Sequence, residues 1–307
     1  MSPSPDYGEP LAISLTGQTG HVGGRRWGRG PAALVFLHAN GFCGSTYAPL
    51  LAPLAAGLAG CSVVSLDLRG HGLTTLPADP DRQDRWTIHR DDIASALDAL
   101  PGGLAPGGAV LAGHSMGGTS ALLAAGAGLV PGVRQLVLFD PVFAPRAFYL
   151  YARAPWVFAL WRRHFPMSAG ALRRRRQFES REAAAAGWQG RGAFRTWQPG
   201  FLDGYCRDGL KPLSGGGFSL SCAPEFEAAC FAGQRHDPHK ALSRLAIPLR
   251  VLRAAHHSTL RASQIPAFTR AGARLETVAG ASHFLPMEQP DLCRAVLADA
   301  ITPPPAP

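Results

Sequence analysis

Short continuous apolar runs recur along the chain, and turn-forming residues bound them. The first run covers residues 33–37, between Pro31 and the sequence His38-Ala39-Asn40-Gly41. Comparable runs cover residues 62–66, 109–112, 136–139, 249–252 and, more weakly, 275–278. Runs of this length and composition are typical of strands that are buried on both faces of a parallel sheet.

Helical periodicity separates the first four of these runs. It covers residues 47–58, residues 88–100 behind a candidate N-cap Thr87, and residues 119–128. It returns late in the chain at 262–271 and 290–301. Strands that alternate with helices in this way predict an α/β fold, with a mostly parallel sheet and helices on both of its faces.

The alternation stops between residues 143 and 245, where the composition changes. Fourteen of the 26 aromatic residues lie between positions 143 and 205, interleaved with arginines, and no strand pattern appears before position 247. We interpret this stretch as a mostly helical cap lying over the sheet. The predicted organisation is a core in two parts, residues 1–142 and 246–302, with the cap at 143–245 and a disordered proline-rich tail at 303–307.

The pentapeptide at 113–117, Gly-His-Ser-Met-Gly, matches the pattern G-x-S-x-G. In that pattern a nucleophilic serine occupies a sharp turn between a strand and a helix. The pattern alone is weak in a glycine-rich chain, but here an apolar strand precedes it and a helix of small residues follows it. Ser115 is therefore the candidate nucleophile, and the alternative is a glycine-rich turn with an incidental serine.

A nucleophilic serine needs a base that accepts its proton, and His283 follows the last predicted strand, where it can supply one. The acid is assigned by elimination, because it should lie between the nucleophile and the histidine in the chain. Residues 238–275 contain no Asp or Glu, and the first acid after Ser115 is Asp140. Asp140 ends the next predicted strand and should lie at the same sheet edge. A turn-capping role for Asp140, or an acid from elsewhere, is the alternative.

The negative oxygen that forms during acyl transfer requires preorganised N–H donors. One donor normally comes from the residue after the nucleophile, which is Met116, and another from a loop after an earlier strand. The loop at 38–42 meets the second requirement. We expect Asn40 to supply its donor, with Phe42 as a second possibility, and the alternative is that the loop forms only a strand-exit turn.

These landmarks, in this order, resemble the α/β-hydrolase fold family. The sequences Asp67-Leu68-Arg69-Gly70-His71-Gly72, Asp140-Pro141 and His283-Phe284 add to the resemblance, which covers about residues 30–302. It implies an eight-stranded, mostly parallel sheet, a helical cap after strand six, and Ser115, Asp140 and His283 as a catalytic triad.

The chain departs from the common pattern of that family at two positions. Ala39 stands where glycine is usual, and His257 fills the usual position of the acid. An acid after strand six resembles the branch seen among some dehalogenases. Their nucleophile is Asp, however, whereas the serine here argues for acyl chemistry.

The combined features predict a serine hydrolase of the esterase or lipase type. It should cleave a carboxylic ester or related acyl substrate through an acyl-enzyme on Ser115, with no metal and no organic cofactor. The alternatives are an acyltransferase or perhydrolase with the same triad, or a non-catalytic ligand-binding protein on the same fold. Tyr149, Trp156 and Trp161 are candidate walls of an apolar or aryl pocket, and the alternative for them is the small core of the cap itself.

Charge and composition change this picture little. The 30 Lys+Arg against 21 Asp+Glu give a net charge of +9, which would suit a nucleic-acid binder. Only Lys211 and Lys240 are lysines, so a compositional bias towards arginine explains the charge equally well, and we expect no nucleic-acid partner. No secretory signal, transmembrane segment or paired cysteine spacing is visible, so we expect a cytoplasmic protein. The oligomeric state is left open.

Overall fold

Eight strands form one mostly parallel sheet at the centre of the computed structural model, which describes residues 6–154, 156, 161 and 164–302. The strands of these residues are β1 (Glu9–Ser14), β2 (His21–Gly28), β3 (Ala32–Leu37), β4 (Ser62–Leu66), β5 (Ala109–His114), β6 (Val133–Phe139), β7 (Gln177–Phe178), β8 (Leu210–Pro212), β9 (Phe218–Leu220), β10 (Leu249–Ala254) and β11 (Arg274–Val278). The central sheet has the order β1-β2-β4-β3-β5-β6-β10-β11, in which β2 is antiparallel to β1 and β4. The predicted eight-stranded sheet is confirmed.

Helices connect and cover the strands. Within the described residues they are α1 (Ala48–Ala56), α2 (Thr87–Asp98), α3 (Met116–Gly126), α4 (Arg146–Ala152), α5 (Pro166–Leu172), α6 (Arg181–Trp188), α7 (Phe201–Asp208), α8 (Pro224–Ala232), α9 (Pro238–Ser243), α10 (Ile265–Arg270), α11 (Leu285–Glu288) and α12 (Pro290–Ile301). α12 has the predicted bounds, whereas α2 includes Thr87 and has Trp86 in the N-cap position. None of these helices combines the length and the apolar character that crossing a bilayer would need.

The sheet separates two hydrophobic cores, one on each face. Successive residues of β3 alternate between them: Val35 and Leu37 belong to the core with α2 and α3, and Leu34 and Phe36 to the core with α1 and α12. All four side chains are fully buried. This double burial explains why β3 is a continuous apolar run rather than an alternating one.

The chain between β6 and β10 forms the insertion that the sequence predicted as mostly helical. It contains α4 to α9, but also a small antiparallel sheet with the strand order β7-β9-β8. We did not expect strands here, because two or three residues are too few to show an alternating pattern. The predicted tail at 303–307 lies outside the described residues.

The second half of the insertion is fastened to the core through α7. The guanidinium of Arg25, on β2, donates from Nε and Nη2 to the Asp208 carboxylate at 2.8 and 2.6 Å, and both side chains are buried. The Ser45 hydroxyl donates to the carbonyl of Gly204 at 2.7 Å. A Cβ atom on Gly204 would lie 2.2 Å from the Ser45 carbonyl oxygen, so only glycine permits this approach.

Candidate active site

Ser115 occupies a tight turn between β5 and α3. Its φ is 54°, a left-handed backbone conformation that is uncommon for residues other than glycine. Two glycines make room for the turn. A Cβ on Gly113 would lie 2.6 Å from the nitrogen of Gly118, and one on Gly117 would lie 2.4 Å from the carbonyl oxygen of Leu37. This is the strained strand-to-helix turn that the G-x-S-x-G pattern predicts.

The side chains of Ser115, His283 and Asp140 lie in one hydrogen-bonded row. His283 Nε2 is 3.0 Å from Ser115 Oγ, and His283 Nδ1 is 2.7 Å from Asp140 Oδ2. The three residues come from the turn after β5, the end of β6 and the loop after β11. The structure therefore brings together the three residues predicted as a triad, in an arrangement that suits nucleophilic catalysis.

The carboxylate of Asp140 is fully buried but surrounded by donors. Its Oδ1 accepts from the Ala254 N–H at 2.9 Å and the Ser258 hydroxyl at 2.5 Å, and its Oδ2 accepts from the Thr259 N–H at 3.0 Å. Burial by itself raises the pKa of Asp140, but the hydrogen bond and charge of His283, with the Ser258 and Ala254 donors, bring the pKa below its usual value. The carboxylate is therefore ionised at neutral pH.

Ser258 and Thr259 were not predicted as site residues. In the sequence they are two small polar residues in a loop, which is too common a pattern to single out. His257 directly precedes them and is exposed, with a φ of 52°. The loop in which an acid would be usual thus contributes hydrogen-bond donors to Asp140, and the imidazole at that position faces outward.

The backbone N–H groups near Ser115 differ in whether they already have an acceptor. Met116 is the first residue of α3, so its N–H has no intrahelical partner. In the loop at 38–42 three N–H groups are engaged: Ala39 donates to Tyr47 Oη at 3.1 Å, Gly41 to His71 Nε2 at 3.0 Å, and Phe42 to the Ala39 carbonyl at 3.1 Å. Asn40 and Met116 line one cavity with Ser115. The hydrogen bonds seen among the described residues leave the Asn40 N–H unused.

Phe42 is the second residue predicted as an oxyanion donor. Besides the engaged N–H group, its ring packs edge-on against Trp197 and Tyr205, with centroid separations of 5.2 and 5.8 Å. Within the described residues it does not line the cavity beside Ser115.

Two loop histidines hold the turns around the site. His38 Nε2 accepts from the Leu68 N–H at 2.8 Å, and His71 Nε2 accepts from the Gly41 N–H. Burial lowers the pKa of both imidazoles to about 3, with the neighbouring charges adding smaller effects. Both are therefore neutral and act as structural hydrogen-bonding groups.

A cavity of about 500 Å³ lies beside Ser115 and His283. Its walls are mainly apolar and include Val142, Pro145, Phe148, Phe165, Met167 and Phe231. Among the described lining residues, Arg261 is the one side chain with a permanent charge. The cavity therefore favours an apolar ligand group next to the serine.

The three predicted wall residues occupy different places. Trp161 lines the cavity. Tyr149 is buried beside His236, and its hydroxyl accepts from the Ala144 N–H at 3.1 Å. Trp156 is 74% exposed. Of the three, the structure brings only Trp161 to the cavity, and it adds Phe148 and Phe165, which pack against Trp161 at 5.1 and 4.3 Å.

No set of three or more His, Cys, Asp or Glu side chains is arranged to hold a metal ion in the part of the chain that the structure describes. The two imidazoles of the sequence at 236–239 are engaged separately. The His236 ring stacks on Trp86 at a centroid distance of 4.8 Å, and His239 Nε2 donates to the Ala144 carbonyl at 2.9 Å.

Comparison with known proteins agrees with the fold. A stretch of 109 residues is 36% identical to protein phosphatase methylesterase 1 of Mus musculus, covering 36% of this chain and 27% of that protein. The match thus spans about a quarter of the relative's length. Among solved structures, E-2-(acetamidomethylene)succinate hydrolase aligns with a TM-score of 0.72 at 23% identity, covering 95% of this chain and 98% of that one.

The thioesterase domain from the curacin biosynthetic pathway also aligns with a TM-score of 0.72, at 17% identity, covering 94% of this chain and 98% of that domain. At these identities the two structural likenesses show a shared fold. Residues 34–296 match the family model described as the alpha/beta hydrolase family, which is most of the chain. This protein therefore belongs to the alpha/beta hydrolase family.

Proposed function

We propose that this protein is a serine hydrolase that cleaves a carboxylic ester, or a related acyl substrate, through an acyl-enzyme on Ser115. The observation that carries the proposal is the hydrogen-bonded row of Ser115, His283 and Asp140, with separations of 3.0 and 2.7 Å. The names of a methylesterase and a thioesterase among its relatives support acyl chemistry.

The reaction begins with the Ser115 hydroxyl, which is too weak an acid to ionise unaided. As Oγ attacks the carbonyl carbon of the substrate, His283 Nε2 accepts its proton. The tetrahedral intermediate then expels the alcohol, which takes that proton from His283. Water attacks the acyl-enzyme with His283 again as the base, and the acid product leaves with Ser115 restored.

Asp140 keeps His283 in the orientation and tautomer that these reaction steps need. Its Oδ2 accepts from Nδ1–H, so Nε2 is the nitrogen without a proton and faces Ser115. The lowered pKa of Asp140 keeps the carboxylate charged, and the charge stabilises the imidazolium that forms when His283 takes the serine proton.

The N–H groups of Met116 and Asn40 are the donors that we assign to the oxyanion. Both residues line the cavity with Ser115, and neither N–H is used elsewhere among the described hydrogen bonds. A donor of this kind typically contributes about 100- to 1000-fold to the rate. The Phe42 N–H is already engaged with Ala39, which favours Asn40 for the second position.

The acyl or aryl part of the substrate would occupy the apolar cavity under the insertion, residues 143–245, which would act as a cap over the sheet. Trp161, Phe148 and Phe165 supply aromatic surface there. Burial of apolar substrate surface contributes about 25 cal/mol per Å², so an extended acyl chain or an aromatic ring should bind better than an acetyl group.

A panel of p-nitrophenyl esters tests the reaction and the substrate class together. The purified protein should hydrolyse them, with kcat/KM increasing from acetate to butyrate or longer acyl chains as the cavity fills. Ser115→Ala should lower kcat by at least about 10,000-fold, while thermal unfolding stays near that of the wild type. A fluorophosphonate probe should label the wild type and not Ser115→Ala.

Two other outcomes would replace the proposal. A folded wild-type protein that neither reacts with the fluorophosphonate nor hydrolyses any ester would indicate a non-catalytic ligand-binding protein. Labelling by the probe, with acyl transfer to an added alcohol, amine or peroxide much faster than to water, would indicate an acyltransferase or a perhydrolase.

A further inference from the structure

A buried chain of hydrogen bonds connects the loop of Asn40 with the loop of His283, and the reaction as described does not use it. The Ala39 N–H donates to Tyr47 Oη at 3.1 Å. Tyr47 Oη is 2.7 Å from His114 Nδ1, and His114 Nε2 is 2.7 Å from the backbone carbonyl oxygen of His283. Tyr47 and His114 are fully buried.

The chemistry of the two end groups fixes the position of every hydrogen in this chain of hydrogen bonds. The His283 carbonyl can only accept, so His114 Nε2 carries a hydrogen and donates it. A neutral imidazole then has an acceptor at Nδ1, to which the Tyr47 hydroxyl donates. The Tyr47 oxygen in turn accepts from Ala39. Burial, followed by the charge of His283, lowers the pKa of His114 to about 3, so His114 is neutral at the pH of an assay.

The two ends of the chain belong to the two groups that must be placed around Ser115. Ala39 directly precedes Asn40, the residue to which we assign the loop oxyanion donor. The carbonyl of His283 belongs to the candidate base itself. His114 directly precedes the nucleophile. One continuous set of hydrogen bonds thus sets the spacing between the Asn40 N–H on one side of Ser115 and the His283 imidazole on the other.

We propose that Tyr47 and His114 are positioning residues that hold the Asn40 donor and the His283 imidazole in register around Ser115. The proposal rests on the proposed serine hydrolase reaction. A misplacement of about 1 Å at a reacting group can cost about 100-fold in rate, so a small relaxation of this chain affects catalysis more than substrate binding.

Tyr47→Phe tests the role of this chain of hydrogen bonds because it removes a single oxygen atom from it. The ring, which packs against Phe36 at a centroid distance of 4.6 Å, is retained. The Ala39 N–H loses its acceptor and His114 Nδ1 loses its donor. We expect kcat on a p-nitrophenyl ester to decrease about 10- to 100-fold while KM changes by less than about twofold, and labelling by the fluorophosphonate to slow in parallel.

Ser62→Ala is the matched control. Like Tyr47→Phe, it removes one buried hydroxyl. The Ser62 hydroxyl donates to the carbonyl of Gly30 at 3.0 Å, at the start of β4 rather than near Ser115. A comparable loss of stability with kcat unchanged is expected. If Ser62→Ala lowered kcat as much as Tyr47→Phe, the effect would be general destabilisation, and the proposal would be wrong.

Substitutions at His114 add a test of rank order. Gln can keep a donor near the position of Nε2, whereas Leu fills a similar volume with no polar atom. We expect kcat to follow wild type, then His114→Gln, then His114→Leu. If wild type and Tyr47→Phe had equal kcat values in an enzyme that Ser115→Ala inactivates, the positioning role proposed for Tyr47 would be wrong. The proposed serine hydrolase reaction would still stand. A wild-type protein with neither turnover nor labelling would contradict both the positioning role and the proposed serine hydrolase reaction.

Discussion

At Asp140 the backbone and the side chain are both constrained. Its φ is 42°, in the left-handed region, and its carboxylate accepts hydrogen bonds from the β10 end and from the loop that follows it. Asn and Asp tolerate this backbone conformation better than most residues. Asp140→Asn therefore removes the charge while keeping a residue type that this backbone conformation accepts.

Asp140→Asn should lower kcat on a p-nitrophenyl ester by about 1000- to 10,000-fold, because an amide no longer fixes the His283 tautomer or stabilises its charge. His257→Asn is the matched control, since it introduces the same residue at a second left-handed position, in place of an exposed side chain. It should change kcat less than twofold. If His257→Asn were the more damaging of the two in steady-state kinetics, our assignment of the acid would be wrong.

The sequence could identify Asp140 only by elimination, and its environment could not be derived. Ser258 and Thr259 are more than a hundred positions away along the chain, and no local pattern connects them with Asp140. The residues that line the cavity were harder to predict than Asp140. Tyr149 and Trp156 lie in a segment that is aromatic on all sides, so periodicity gives no indication of which side chains face the cavity.

At the level of elements, α3 packs closely against the end of β3 at the candidate site. Its N-terminus begins directly after Ser115, and Gly117 faces the carbonyl groups of Leu37 and His38 at the end of β3. The same approach brings Met116 and the loop at 38–42 to one cavity. A side chain at Gly117 would therefore separate the two elements to which we assign the oxyanion donors.

Gly117→Ala should destabilise the protein by several kcal/mol, because its Cβ would lie 2.4 and 2.5 Å from two backbone oxygens. Gly187→Ala is the matched helical control. Gly187 lies in α6 with no atom near the position of a Cβ, so alanine there should stabilise by about 0.5 to 1 kcal/mol. Urea denaturation measures both. A neutral Gly117→Ala would contradict the packing described for this turn.

The strands were predicted best where both faces are buried, as in β3 and β4, because every position is then apolar. β2 has no apolar run that would reveal it in the sequence. It contains Gly23 and Gly24 followed by two arginines, and a Cβ on Gly24 would lie 2.2 Å from the Ser65 carbonyl oxygen. Close approach of a neighbouring backbone replaces the apolar pattern in that strand, and only the folded structure reveals it.

For the whole molecule, buried histidines couple folding to pH. Burial lowers the pKa of four imidazoles to about 3: His38, His71, His114 and His236. In the unfolded chain each has a pKa of about 6.5. Their neutral forms therefore favour folding fully above pH 6.5, and this stability is lost as the pH falls from 6.5 towards 3.

We expect the free energy of unfolding to decrease below pH 6.5 by about 1.4 kcal/mol per pH unit for each buried imidazole, or on the order of 5 kcal/mol per unit for four. Domains of this kind have about 5 to 15 kcal/mol in total, so unfolding near pH 5 is expected. Urea midpoints at pH 8, 7, 6 and 5 test this. His256→Gln, in an exposed side chain, should leave the slope unchanged. A flat profile from pH 7 to 5 would show that these imidazoles are not buried and neutral.

The ion pair and the hydrogen bond that attach α7 to the core have a consequence for how a substrate reaches Ser115. A rigid-body swing of the whole insertion would pull Asp208 away from Arg25, and separating a buried ion pair costs about 3 to 5 kcal/mol. It would also break the bond between Ser45 and Gly204. The aromatic wall on the other half, with Phe148 and Phe165, does not depend on these bonds. An opening of the cavity that keeps these bonds is therefore expected to move the half with α4 and α5, while the α7 half stays attached to the core.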